Sequence, residues 1–187
     1  LDHLEITEAT FVGISFGGRV LQELALGWPE RITRMILCGT SAGGRMHTSG
    51  RVNLHATLER AATMPVEEWA QEIGGALFGR AYVAQYPNRI LALARWRQRH
   101  PARPEGVARQ WQAFAAFDAS DRLGAIQCPV LVVHGTDDRL SPMQNARWLV
   151  QGIPDCDLVP LEDIGHSPNI EAPETLHRVI EEFLESR

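Results

Sequence analysis

The sequence predicts an α/β fold with a mostly parallel sheet and a helical cap insertion. Short β-rich runs alternate with segments of helical spacing toward both ends of the chain. Residues 35–38 and 130–133 are continuously apolar, as expected of parallel strands buried on both faces. Between them, residues 45–118 show only helical patterns. We therefore divide the chain into core at residues 1–44, cap at 45–118 and core at 119–187.

The first core segment predicts a strand, a sharp turn, a helix and a second strand. Residues 1–8 have the spacing expected of the last turns of a helix that begins before residue 1. Residues 10–14 form a short β-rich run, after which the spacing becomes helical until Gly27 and Pro29 stop it. Residues 32–38 predict the second strand.

The last core segment repeats this alternation. Residues 129–134 predict a buried strand, and Ser141 before Pro142 is typical of an N-cap followed by proline at the first helical position. Residues 156–161 predict another strand. Pro173 opens a closing helix with one apolar face.

The cap segment is rich in aromatic residues and arginines. We expect helices to start at Pro65 and near Pro104. The aromatic residues are expected to line an apolar pocket under the cap: Trp69, Phe78, Tyr82, Trp96, Trp111, Phe114 and Phe117. We predict substrate contacts for three of them, Trp69, Trp96 and Trp111. Five arginines are interpreted as a solvated helix face: Arg95, Arg97, Arg99, Arg103 and Arg109. The alternative is that one of these arginines recognises a substrate carboxylate.

Composition excludes several classes of function. The 187 residues are 44% apolar and carry a net charge of −5, which favours one compact domain and argues against a nucleic-acid partner. All basic residues are arginines, which excludes chemistry that needs a lysine, such as a Schiff base or a P-loop. No apolar run is long enough for a membrane helix, so we expect no membrane partner. The three cysteines, Cys38, Cys128 and Cys156, are interpreted as reduced core residues of a cytoplasmic protein.

A serine stands where the first strand meets the first helix, in the run Gly13-Ile14-Ser15-Phe16-Gly17-Gly18. This Gly-x-Ser-x-Gly pattern is typical of a strained turn that exposes the serine hydroxyl. The turn is expected to need small residues at Gly13 and Gly17. The helix N-terminus points at the site, and the backbone N–H of Phe16 can donate to an oxyanion. The competing interpretation is an ordinary glycine-rich turn.

A nucleophilic serine needs a base, and the base needs an orienting carboxylate. His166 lies in a polar loop between the last strand and the last helix, whereas His134 is expected to support a turn and the other histidines fall in helical or surface contexts. Either Asp137 or Asp138 is expected to hold the imidazole. The alternative, a turn that caps the helix after Pro142, suits Asp137 better.

These residues resemble the α/β-hydrolase superfamily. Ser15, Asp138 and His166 occur in the family order of serine, aspartate and histidine. Two further family motifs match: Gly-x-x-Asp-x-x-x-Pro at Gly135, Asp138 and Pro142, and Gly-His-x-x-x-x-Glu-x-Pro at Gly165, His166, Glu171 and Pro173. The resemblance covers essentially the whole chain outside the cap. It implies the C-terminal part of an α/β-hydrolase fold, with Ser15 as nucleophile, Asp138 as acid and His166 as base.

Within the superfamily, residues 13–18, 29–31 and 38–43 are similar to the branch that contains 3-oxoadipate enol-lactonases, intracellular polyhydroxyalkanoate depolymerases and small carboxylesterases. A serine at position 15, where haloalkane dehalogenases and epoxide hydrolases have aspartate, argues against those two groups. Family members carry several strands before the serine turn, with a His-Gly motif that supplies a second oxyanion donor. We expect that segment to be a separate chain or a part of the protein that precedes the given sequence, and the alternative is a truncated product. As a partner of the chain, a second copy of itself in a homo-oligomer is also considered.

The resemblance implies acyl transfer on a small-molecule ester or lactone. Ser15 attacks the carbonyl, His166 takes and returns the proton, and Asp138 fixes the imidazole. We expect neither a metal nor an organic cofactor. The alternatives with the same residues are carbon–carbon bond hydrolysis, cofactor-free haloperoxidase-like perhydrolysis and transfer to an alcohol. An alternative of another class is a non-catalytic binding or assembly fragment.

Overall fold

The computed structural model describes residues 1–51, 54–60 and 63–186. Four strands form one sheet in chain order: β1 (Ala9–Ile14), β2 (Ile32–Cys38), β3 (Val130–Gly135) and β4 (Cys156–Leu161). Each pair of neighbouring strands is parallel. The predicted α/β class and the parallel sheet are therefore confirmed, and the strand bounds agree with the predicted strands at 10–14, 32–38, 129–134 and 156–161 to within one residue.

The helices follow the strands or fill the long segment between β2 and β3. They are α1 (Phe16–Gly27), α2 (Leu54–Arg60), α3 (Val66–Leu77), α4 (Arg80–Gln85), α5 (Pro87–Arg99), α6 (Pro104–Ala116), α7 (Met143–Gly152), α8 (Pro168–Glu171) and α9 (Pro173–Ser186). The predicted starts at Pro65, Pro104 and Pro173 are confirmed, because Pro65 is the N-cap of α3 and the other two prolines begin their helices.

Two local predictions are wrong. Residues 1–8 contain only a 3₁₀ turn at Asp2–Leu4, which ends where Glu5 adopts the left-handed conformation with φ of 54°. The N-cap of α7 is Pro142, not Ser141. Instead, the Ser141 hydroxyl accepts a hydrogen bond of 3.0 Å from Asn145 Nδ2, so its side chain supports the helix from the side.

The strand register brings the functional loops together. Ile14 pairs with Cys38, Cys38 with Val133, and Val133 with Val159. Because the strands are parallel and in this register, their carboxyl ends lie along one edge of the sheet. The loops that follow the four strands therefore meet there, and three of them carry the predicted catalytic residues.

Helices cover both faces of the sheet. On one face, α1 and α7 pack against alternate strand residues such as Met35, Leu37, Val130 and Val132. On the other face, α9 packs against the intervening residues, among them Ile36, Cys38, Leu131 and Val133. All six residues of β3 are buried. Each large apolar side chain removed from water in this way contributes about 1.5–3 kcal/mol, so the sheet is a firm base for its loops.

In the helical segment between β2 and β3, helices α2 to α5 share an apolar core of their own, which contains Trp69, Ala70, Ile73, Phe78, Tyr82, Ile90 and Ala94. The two ends of this helical segment meet, because Gly43 pairs antiparallel with Asp118 and the Ala119 N–H donates to Ala42 O over 2.8 Å. This closure supports the division at residues 45–118, which stays a prediction.

Two of the three cysteines are core residues as predicted, and the third packs against the edge of the core. Cys38 and Cys128 are buried, Cys156 is partly exposed, and no disulfide forms among the described residues. Burial raises the pKa of Cys38 to about 12, so its thiol stays protonated and unreactive at neutral pH. Within the described ranges, no helix is both long and apolar enough to pass through a bilayer.

Candidate active site

Ser15 occupies a strained turn between β1 and α1. Its backbone has φ of 54° and ψ of −116°, a conformation that costs a residue other than glycine about 1–3 kcal/mol. Hydrogen bonds hold the turn: the Ser15 N–H donates to Cys38 O over 2.8 Å, and Ser15 O accepts from Thr40 Oγ1 over 2.7 Å. Ser15 lines the large cavity above the sheet edge. The ordinary glycine-rich turn is thus the weaker interpretation.

The turn requires glycine at two positions, of which one, Gly13, is among the two predicted. A Cβ atom on Gly13 would lie 2.7 Å from Leu21 Cδ1 and 2.8 Å from Gly17 O, so only glycine fits there. The expectation for Gly17 is wrong, because a Cβ atom on it would meet nothing within 4 Å. It is the backbone of Gly17, not its side-chain position, that faces Gly13. The second close approach is at Gly18, whose Cβ atom would lie 2.6 Å from Thr40 Cγ2.

Asp138 and His166 form a buried hydrogen-bonded pair. The His166 Nδ1–H donates to Asp138 Oδ2 over 2.7 Å, and the Asp138 side chain is 0% exposed. The other carboxylate oxygen, Oδ1, accepts from the N–H groups of Leu140 at 2.9 Å and Ser141 at 2.8 Å. The backbone therefore fixes the carboxylate through Oδ1, and Oδ2 orients the imidazole. With Nδ1 donating, Nε2 carries the lone pair that a general base needs.

The structure brings Ser15 and His166 to the same cavity. The imidazole packs against the end of β2, where a Cβ atom on Gly39 would lie only 3.1 Å from His166 Nδ1. Gly39 also has φ of 54°, so two reasons favour glycine at this position. Among the described side-chain hydrogen bonds, none joins Ser15 Oγ to the imidazole; such bonds often tighten only when a substrate is present. The catalytic roles of the three residues stay predictions.

Asp137 has a different task from its neighbour. Its carboxylate accepts from the Arg80 N–H over 2.7 Å and pairs with the Arg80 guanidinium at 3.1 Å. Asp137 therefore binds the N-terminal end of α4 in the cap, and the expectation that it caps the helix after Pro142 is wrong. The physical reason is that the two neighbouring carboxylates have different partners, Arg80 for Asp137 and His166 for Asp138.

Two further residues hold the loops in place. His134, as expected, supports the turn that contains Asp138, because its buried ring donates from Nε2 to Ser141 O over 2.7 Å. Burial lowers the pKa of His134, against the raising effect of Asp138, so the ring is neutral at neutral pH. Glu171 binds three backbone N–H groups, those of Gly79, Gly165 and Ser167. It therefore ties the loop of His166 to the cap. Burial raises the pKa of Glu171, although its N–H donors oppose that rise.

Phe16 is the first residue of α1, so its backbone N–H lacks an acceptor within the helix. Phe16 also lines the cavity, next to Ser15. This N–H can stabilise negative charge on an oxygen bound at Ser15, and the predicted oxyanion role stays a prediction.

The cavity between the sheet edge and the cap has a volume of about 1650 Å³. The three predicted tryptophans all line it, although they differ in exposure: Trp69 is 2% exposed and Trp96 is 56% exposed. Trp111 packs edge-on against His55, with ring centroids 4.8 Å apart. Their contact with a substrate stays a prediction.

The other aromatic residues of the cap are divided between the cavity and the two cores. Phe114 lines the cavity as expected. Phe78, Tyr82 and Phe117 are outside the described lining, contrary to the prediction. Phe78 and Tyr82 stack with centroids 5.2 Å apart inside the cap, and Phe117 packs against the sheet core. A cap that folds over a cavity must bury apolar surface of its own, and these residues supply it.

Arginines also line the cavity: Arg19, Arg51 and Arg97. Of the five arginines considered from the sequence, only Arg97 is among the described lining residues, so the solvated face is the better description of that group. Sequence analysis missed Arg19, which is 4% exposed. Its position four residues after Ser15, one helical turn further along α1, could have indicated it. Burial lowers the pKa of Arg19 to about 10, which leaves it charged at neutral pH.

Residues 1–51, 54–60 and 63–186 contain no group of three or more histidine, cysteine, aspartate or glutamate side chains that could hold one metal ion.

Comparison with known proteins adds the following. The sequence model of the Alpha/beta hydrolase family matches residues 1–179. A 3-oxoadipate enol-lactonase 2 from Acinetobacter baylyi is 30% identical over 181 residues, which are 97% of this chain and 65% of that protein. A 2-hydroxy-6-oxo-6-phenylhexa-2,4-dienoate hydrolase from Comamonas testosteroni is 30% identical over 193 residues, or 100% of this chain and 66% of that protein. The chain thus spans about two thirds of the length of these relatives.

A solved structure gives the same picture. The enol-lactonase from Burkholderia xenovorans superimposes with a TM-score of 0.81 at 30% identity, over 98% of this chain and 68% of the other. The sheet and helices described above therefore correspond to part of that larger fold, as the motifs around Ser15, Asp138 and His166 imply.

Proposed function

The chain belongs to the α/β-hydrolase family, and from this premise we propose that it is a serine hydrolase that cleaves a carboxylic ester or lactone through an acyl-enzyme on Ser15. The observation that carries the proposal is the buried pair of Asp138 and His166, joined by 2.7 Å, at the cavity that the strained turn of Ser15 also lines. Acyl transfer needs a carboxylate, an imidazole with an unprotonated Nε2 and a hydroxyl that the substrate can reach.

The proposed reaction proceeds in two halves. Ser15 Oγ attacks the carbonyl carbon while its proton passes to His166 Nε2, and the negative oxygen accepts a hydrogen bond from the Phe16 N–H. His166 then gives the proton to the leaving alkoxide, which departs as the alcohol. In the second half, His166 takes a proton from water, the water attacks the acyl carbon, and Ser15 recovers its proton as the acid leaves. Asp138 stabilises the imidazolium in both halves.

The names of the relatives support this reaction class. One is named as an enol-lactonase, and the superimposed structure has the same description. A lactone is a cyclic ester, so that name agrees with attack at an acyl carbon. A second candidate is carbon–carbon bond hydrolysis with the same three residues, which the equal identity to a dienoate hydrolase favours.

The proposal extends to the surroundings of the protein. Its partner is a small-molecule ester or lactone, and the reaction needs no metal or organic cofactor in the steps above. We place the protein in the cytoplasm, because a reducing compartment suits three cysteines that form no disulfide among the described residues.

The test is labelling with a fluorophosphonate probe, followed by intact-mass measurement and by turnover of p-nitrophenyl acetate and butyrate. We expect one adduct, its loss in Ser15→Ala, and its retention in Ser49→Ala, which removes another hydroxyl from the cavity lining. A folded sample that carries no adduct at Ser15 would contradict the proposal. Turnover of a dienoate substrate with a carbon–carbon scissile bond, in a protein that leaves both esters intact, would favour the second candidate.

A further inference from the structure

The cavity beside Ser15 differs in charge from the rest of the molecule. The protein has a net charge of −5. Among the described residues that line the cavity, however, three are arginines and none is aspartate or glutamate. Charge of one sign along a cleft with low-dielectric walls focuses the electric field and attracts ions of the opposite sign. The lining thus favours an anionic ligand in a protein that would otherwise repel one.

Arg19 is the buried cation of this lining. One terminal nitrogen donates to Phe114 O over 2.7 Å, and the other donates to Ser41 Oγ over 2.8 Å and to His47 Nδ1 over 3.3 Å. The guanidinium also stacks on the Phe114 ring, with 3.5 Å between its carbon and the ring centroid. These contacts fix the plane of the side chain at the junction between α1 and the cap helix α6.

All these acceptors are neutral, and no carboxylate of the described residues lies within ion-pair distance of Arg19. Arginines that are less buried do have such partners: Arg31 pairs with Asp2 at 2.6 Å, and Arg60 pairs with Glu72 at 2.7 Å. The need for a counter-ion is greater for Arg19, because burial removes the water that would otherwise solvate its charge. A guanidinium has five N–H groups, and the contacts to Phe114, Ser41 and His47 use three of them. The Nε–H and one Nη1–H are left for a further acceptor.

We propose that Arg19 is a specificity-determining residue that binds a carboxylate of the substrate, so that the protein prefers an ester or lactone whose acyl part ends in a second, ionised carboxyl group. This inference rests on the proposed hydrolase function. Arg19 and Ser15 are one helical turn apart, and side chains at this spacing start about 5–6 Å from each other. A short dicarboxylic chain can therefore span from Ser15 Oγ to the guanidinium.

The test compares monomethyl adipate with dimethyl adipate, two esters of equal chain length that differ by one negative charge. Methanol release gives kcat/KM for each. We expect the unaltered protein to prefer the monoester by about tenfold or more, since hydrogen bonds between charged groups are the stronger ones. In Arg19→Gln the ratio of the two constants should fall to about one, and Arg19→Lys should retain part of the preference because it keeps the charge.

A matched control is Arg109→Gln, which removes an exposed arginine of α6 outside the described cavity lining and should leave the ratio as it is in the unaltered protein. The ratio also separates recognition from support of the cap. If Arg19 served only to hold α6 through Phe114, its loss would slow both esters equally and the ratio would persist. That result would overturn the proposal.

A measurement on the unaltered protein covers the case in which the Arg19 variants do not fold. Adipate should inhibit hydrolysis of dimethyl adipate at a concentration at least tenfold lower than adipamide, its uncharged analogue, and added salt should weaken adipate alone. Equal inhibition by the two compounds would overturn the proposal while the hydrolase function stands. If neither ester is cleaved and Ser15 takes no fluorophosphonate, the proposed function fails instead. Calorimetry with adipate and adipamide then still decides the role of Arg19.

Discussion

The two walls of the cavity are built differently. On the sheet side, Ser15, Asp138 and His166 sit at strand ends, and each is held by short hydrogen bonds to backbone or to another of the three. On the cap side, the rings of Trp96 and Trp111 contact the rings of His100 and His55. The difference shows that hydrogen bonds fix the positions of the sheet-side residues, whereas apolar contacts on the cap side leave the shape of the wall adjustable. A reacting group tolerates little displacement, whereas an apolar wall can adjust to its ligand.

The largest expected effect comes from the carboxylate behind the sheet-side wall. In Asp138→Asn, the amide no longer selects the tautomer of His166 with a bare Nε2, and kcat should fall by roughly 10⁴-fold. The neighbouring change Asp137→Asn is the matched control. It weakens the bond to Arg80 and should lower the free energy of unfolding by about 0.5–2 kcal/mol, with kcat nearly unchanged. Ester turnover and urea unfolding measure the two outcomes. Equal losses of kcat in both variants would contradict the distinction.

The next effect tests how closely the sheet-side wall is packed. In Gly39→Ala, the new Cβ atom would lie 3.1 Å from His166 Nδ1 at a backbone φ of 54°, so the imidazole must move. A shift of this kind costs roughly 10²-fold in kcat. Gly17→Ala adds the same methyl group where nothing lies within 4 Å, and it should retain near-normal turnover. If both variants keep full activity, the imidazole is not confined as described.

A smaller effect is expected on the cap side. Trp96 is 56% exposed and stacks on His100, so Trp96→Ala removes apolar surface from the cavity without disturbing a core. We expect KM to rise about three- to tenfold with little change in kcat, because the contact stabilises the bound substrate and the transition state alike. Steady-state kinetics with butyrate and acetate esters measure this. A large fall in kcat would show that the cap also positions the reacting groups.

The smallest effect is a pH dependence of stability. His134 and His47 both have a pKa lowered mainly by burial from the ordinary value of 6.5. Since the folded state resists protonation of these rings, their contribution to stability is complete above that value and is lost as pH falls below it. The fully buried His134 ring contributes at most about 1.4 kcal/mol per pH unit in that window, and the half-buried His47 ring contributes less because solvent screens it. Urea unfolding at pH 8 and pH 5.5 should show the loss, and His134→Gln should reduce it. An equal loss in that variant would assign the effect elsewhere.

Much of the fold was predictable because its determinants are local. Continuous apolar runs indicated β2 and β3, and prolines at helix starts marked α3, α6 and α9. The errors arose where a local pattern had two solutions. Ser141 before Pro142 is a good N-cap sequence, yet the side chain of Asn145 competes for the hydroxyl. Residues 1–8 have helical spacing, but Glu5 ends the turn.

The candidate site divides in the same way. Motifs identified Ser15, Asp138 and His166, because a turn, a loop and their order can be recognised without knowing the neighbours. Motifs could not reveal the roles of Asp137 and Glu171, because their hydrogen-bond partners Arg80 and Gly79 lie in the cap, far away in the chain. The aromatic residues could not be divided between cavity and core, because both environments favour the same side chains.

The sequence by itself determined the α/β class, the bounds of the strands and the three residues to which we assign the chemistry, since periodicity and turn chemistry are properties of neighbours along the chain. Only the tertiary structure decided which charges face the cavity. Arg19 is buried against Phe114, 95 residues away, and its lack of a carboxylate partner depends on every element that surrounds it. Burial and pairing of charge are set by distant contacts, and a linear pattern does not contain them.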